Sequence, residues 1–67
     1  MFENELNSAK KTWGNKYSEW YMIDWEGAYG RGVVFYPVVI DDETGEKCFK
    51  RGMCVFPIND PANVVAG

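Results

Sequence analysis

The sequence predicts a small α+β domain: one N-terminal helix packed on a three-stranded antiparallel β-meander. A small, partly closed β-barrel with a helical cap is the alternative. Three observations lead there. Phe2, Leu6, Ala9 and Trp13 fall on one helical stripe, and three segments rich in β-branched and aromatic residues follow. The turn Asp42-Glu43-Thr44-Gly45 then joins the last two of those segments as a hairpin. Residues 1–67 read as one domain.

The helix is expected over about residues 2–13. Glu3 and Glu5 stand in its first turn and Lys10 and Lys11 near its last, which complements the helix dipole. Gly14 follows as a C-terminal cap. Such a helix is only ~18 Å long and covers part of one sheet face.

The strands are expected at about 18–26, 32–42 and 46–57. Trp20, Tyr21, Met22, Ile23 and Trp25 favour a strand, with a second helix as the alternative because Tyr17, Trp20, Tyr21 and Asp24 also align. Gly27, Gly30 and Gly32 mark a flexible connection into the second strand. Pro37 cannot donate to a ladder, so it asks for an edge, a bulge or a bend. In the tail, Asp60 is a good N-cap and Pro61 a good first helical residue, sufficient for one helical turn.

Taking Gly45 as the close of a three-residue loop sets the hairpin register. Asp42 then faces Glu46, Ile40 faces Cys48, Val39 faces Phe49 and Phe35 faces Met53. Both faces of this hairpin come out apolar, whereas an ordinary half-exposed hairpin is polar on one. Something must cover both, and one short helix cannot, so the pattern points to a partner or to self-association. Cys48 and Cys54 fall on one strand and one face, about 20 Å apart, too far for a disulfide. They read as buried free thiols of a reducing compartment.

Composition narrows the function. There are 10 acidic and 7 basic residues, a net charge of −3, whereas a small nucleic-acid binder usually carries a basic excess. No histidine is present, and two cysteines are too few for a structural zinc site. No metal or other cofactor is therefore expected, and the chain offers no base, nucleophile and orienting group for an enzyme. Gly27-Ala28-Tyr29-Gly30-Arg31-Gly32 matches neither a dinucleotide fingerprint nor a Walker loop. The N-terminus does not read as a signal peptide, and no stretch approaches the ~20 apolar residues of a membrane span, so a cytoplasmic protein is expected.

Aromatic residues make up 16% of the chain, more than one short helix can bury. Trp20, Trp25, Tyr29, Tyr36 and Arg51 are the candidate protein-binding residues, because these types concentrate binding energy at interfaces. Asp41, Asp42 and Glu43 form the hairpin tip; they serve turn geometry or, functionally, an acidic knob for a basic partner. The leading expectation is a small protein-binding module, a regulator or inhibitor that occupies a partner's surface in the style of phage and mobile-element inhibitors. The alternatives are a nucleic-acid-binding β-fold that stacks bases on its aromatics, with Arg31, Lys47, Lys50 and Arg51 on phosphates, and a structural homo-oligomer.

Overall fold

The computed structural model describes residues 3–67 and shows one helix and a five-stranded antiparallel sheet. The elements are α1 (Glu3–Trp13), β1 (Glu19–Gly27), β2 (Gly30–Ile40), β3 (Lys47–Arg51), β4 (Cys54–Pro57), a 3-10 turn (Pro61–Asn63) and β5 (Val64–Ala66). The sheet order is β4-β3-β2-β1-β5. The chain is α+β, as expected, but it has five strands rather than three. Phe2, the first residue of the predicted stripe, lies outside the described residues.

The helix ends where its signals place it. Gly14 N–H donates to Lys10 C=O at 2.8 Å and closes the last turn. Leu6, Ala9 and Trp13 face the sheet and meet Trp20, Phe35, Met22 and Val33 there. That cluster is the core. Trp20 is fully buried at 0% exposure, and its ring takes the edge of Tyr17 at 5.9 Å.

The predicted third strand is two strands. Gly52 has φ +63° and Met53 does not have a positive φ, so these two residues form a primed turn between the paired Arg51 and Cys54. A left-handed first turn position suits glycine, and nothing in the Asp42–Gly45 turn competes with it. The tail supplies the other unpredicted strand. Asp60 Oδ1 accepts from Ala62 N–H at 3.2 Å, Pro61 opens the single 3-10 turn, and Val64–Ala66 then pairs with the start of β1.

The hairpin register is one residue away from the expected one. Val38 faces Phe49, Val39 faces Cys48 and Ile40 faces Lys47. Gly45 does adopt the left-handed conformation, at φ +72°. The loop has four residues, however, because Asp41 N–H donates to Glu46 C=O at 2.9 Å and makes 41 and 46 the closing pair. A one-residue slip moves every β3 side chain to the other face. Cys48 therefore joins Phe35 and Pro37 on the helix side, while Phe49 and Arg51 join Tyr36 on the opposite side.

The same register explains Pro37. Hydrogen-bonded pairs alternate along an antiparallel ladder, so 41/46 and 39/48 are followed by 37/50. That pair needs an N–H at position 37, and proline has none. The β2–β3 ladder stops at Val38, and β2 changes partner from β1 to β3 at this point. Pro57 is tolerated for a related reason: its ring nitrogen faces the open side of the edge strand β4.

The two apolar faces find much of their cover within the chain. The helix covers one. On the other, Tyr21 from β1 and Phe49 from β3 stack at 4.8 Å across β2, although flanking strands of a flat sheet stand ~9.6 Å apart. Lys47 Nζ likewise reaches the Glu19 carboxylate at 3.2 Å. Side chains of β1 and β3 thus meet over β2 on this face, and β4 and β5 are the outer strands of the sheet.

Candidate functional site

The Gly-rich segment predicted as a flexible connection is ordered ladder. Gly27 pairs with Gly30, leaving only Ala28-Tyr29 as a tight turn, and Arg31 and Gly32 belong to β2. The result is a two-stranded ribbon running past the other strands, in a molecule of 39 × 23 × 22 Å. Every residue from Asp24 to Arg31 is exposed.

Trp25 and Tyr29 stand together on this ribbon. Tyr29 is fully exposed at the turn, and Trp25 is 53% exposed. The Trp25 indole lies flat across Gly32, its cross-strand partner. A Cβ at position 32 would clash with the face of the Trp25 ring. Glycine here is a seat for the indole. On the other face, Arg31 Nε donates to Glu26 Oε1 at 2.6 Å and ties the strands together.

The remaining predicted residues are scattered. Tyr36 lies further along the Trp25 face, half-buried, with the Arg51 guanidinium 5.9 Å from its ring centre. Trp20 was expected at the surface; its complete burial beneath the helix removes it from any interface. Its Nε1 has no hydrogen-bond partner among the described residues. Asp41, Asp42 and Glu43 occupy the β2–β3 turn, at the far end of β2 from the ribbon turn. Asp41 Oδ1 accepts from Glu43 N–H at 2.9 Å and its C=O accepts from Gly45 N–H at 2.7 Å, so Asp41 serves the turn.

Sequence reasoning missed a second exposed apolar group. Met53 is 98% exposed, with Val55 and Phe56 behind it on β4. An unbroken third strand hid them, and the Arg51-Gly52-Met53-Cys54 turn was the signal that reveals them.

The cysteines are both free, but not both buried. Cys48 is buried and Cys54 exposed, on separate strands and opposite faces. Burial pushes the Cys48 thiol up from its ordinary value, and the Asp41 and Glu46 carboxylates add to the shift. A thiol held neutral is a poor nucleophile.

A cleft of about 730 Å³ runs beside the ribbon on the helix side. Met22 and Val33 line it together with Glu5, Asp24, Glu26 and Arg31, and Trp25 and Gly32 border it. Among the described residues no group of three His, Cys, Asp or Glu is arranged to hold a metal ion. None of the described helices is long and apolar enough to cross a membrane. Comparison with protein-family models, with curated proteins and with solved structures finds no match.

Proposed function

We propose that this chain is a protein-binding module, a regulator or inhibitor that acts by occupying a partner's surface with the β1–β2 ribbon. The observation that carries this reading is the projecting ribbon with Trp25 seated on Gly32 and Tyr29 at its turn. An exposed indole held in one place loses little conformational freedom when a partner covers it. Interface energy concentrates on such residues. The reading gives the chain no catalytic role and no cofactor. Two free thiols support a reducing, cytoplasmic setting.

The nucleic-acid alternative draws less support from the same geometry. Arg31 and Lys47 are engaged by Glu26 and Glu19. Lys50 lies on the helix side of the sheet and Arg51 on the other, so the cations do not line one groove. Exposed Met53, Val55 and Phe56 favour homodimerisation as the second reading.

The test is affinity capture from the native host with three tagged baits: the parent chain, Trp25→Ala/Tyr29→Ala and Asp42→Ala/Glu43→Ala. The expected result is a protein retained by the first and third baits and lost from the second. Equal retention on all three would remove the ribbon from the interface.

A further inference from the structure

The outer main-chain edge of β1 is open beyond the reach of β5. Gly67 N–H donates to Ser18 C=O at 3.1 Å, which identifies the even-numbered residues of β1 as those whose main-chain groups point toward β5. Pairing with β5 stops at Tyr21. The N–H and C=O groups of Asp24 and Glu26 therefore point outward with no strand beside them. Side chains alternate across the same edge. The Asp24 and Glu26 side chains stand on the helix side, and the Trp25 side chain stands on the other, where it also borders the rim of the cleft. Arg31 occupies Glu26, whereas Glu5 and Asp24 face the cleft with no cationic partner among the described residues.

We propose that this edge accepts an extended basic segment of a partner protein as an added β-strand. Alternate residues of that strand are Lys or Arg over the cleft and apolar beside Trp25. The proposal rests on the protein-binding reading and names the partner's chemistry. Strand addition gains its affinity from main-chain hydrogen bonds and its selectivity from every second side chain. Here Met22 and Val33 meet the aliphatic stems of the basic residues, and Glu5 and Asp24 meet their charged ends. A second copy of this chain fits the edge badly. Antiparallel pairing of β1 with another β1 sets Asp24 and Glu26 against the same acids, and like charges across a ladder are destabilising.

The probe is the peptide acetyl-Lys-Val-Arg-Val-Lys-amide, titrated into the ¹⁵N-labelled full chain. Acetyl-Glu-Val-Glu-Val-Glu-amide is the control. The expected result is chemical-shift change centred on the amides of residues 22–27, slowed hydrogen exchange at Asp24 and Glu26, and affinity that falls with added salt. Glu5→Lys/Asp24→Lys is expected to weaken binding about tenfold or more. If that pair disturbs the fold by circular dichroism, Glu5→Gln/Asp24→Asn carries the comparison with a smaller loss in the same direction. No binding, equal binding of the acidic peptide, or shifts centred on Asp41–Glu43 instead would each overturn the proposal. Failure of the peptide alongside Trp25- and Tyr29-dependent capture overturns the edge and leaves the protein-binding reading standing. Edge binding without that dependence overturns the ribbon's aromatic role instead.

Discussion

Trp20 joins the helix to the sheet, and its full burial sets the size of the penalty for losing it. Trp20→Ala is expected to cost about 3–5 kcal/mol, read as a shift in the urea midpoint. A domain this size has little more than that in total, so the variant should be largely unfolded at 25 °C. Gly32 governs Trp25 in a different way. Gly32→Val puts a side chain where the indole lies, and the exposed ring swings out into solvent. The expected signs are greater Trp25 accessibility to a quencher and a loss of partner binding, with the fold retained. The cysteines should separate cleanly: a thiol reagent at neutral pH modifies Cys54 quickly and Cys48 only after unfolding. Because the folded fold favours the neutral Cys48 thiol, its contribution to stability is whole below the ordinary value of 9.0 and is lost as pH rises through the higher folded value. Cys48→Ala is expected to flatten that alkaline limb of the stability profile.

At the scale of elements, the β3–β4 hairpin depends on its turn. Gly52→Ala forces an alanine into φ +63°, at a cost of about 1 kcal/mol. The loss should appear first as faster amide exchange in β4, since the edge strand pairs on one side only. Local signals predicted the helix, the start of the 3-10 turn at Asp60-Pro61 and the left-handed Gly45, because caps and turns are set by residues within a few positions. The split of the third strand was also written locally, in Arg51-Gly52-Met53-Cys54, but an unbroken β-rich run of apolar residues masked it. The register was not legible. Three- and four-residue loops both end on a left-handed Gly45, and the choice rests on how Asp41 and Glu46 pair.

For the whole molecule, aromatic packing across the strands alters what the two apolar faces mean. Tyr21, Phe49 and Phe56 stack on one another over the face that the helix leaves, so much of that face is covered without a partner. What remains exposed lies at the ribbon, at Ile40 by the β2–β3 turn, and along β4 and its turn. Self-association, if it occurs, should therefore be lost in Met53→Ser/Phe56→Ser, measured by light scattering across a concentration series. Single-stranded DNA or RNA should bind no more tightly than ~100 µM at physiological salt, the weak end of non-specific affinity. Salt-sensitive binding in the low micromolar range would bring the nucleic-acid reading back to the front.

By itself the sequence determined the α+β class, the helix with its cap, the break in ladder pairing at Pro37 and the presence of a few exposed aromatic residues. Each follows from short-range chemistry: a 3.6-residue period, a missing N–H, a count of rings against the area one helix can cover. Tertiary structure alone decided which aromatics are core and which are surface. Trp20 and Trp25 are five residues apart on one strand, and both read as interface candidates. Trp20 stands on the face that the helix covers, while Trp25 points to the other, where Gly32 gives its ring a seat. Strand alternation separates the two faces, but only packing says which face receives the helix. β5 was equally out of reach, because Val64–Ala66 becomes a strand through its pairing with β1, more than forty residues earlier in the chain.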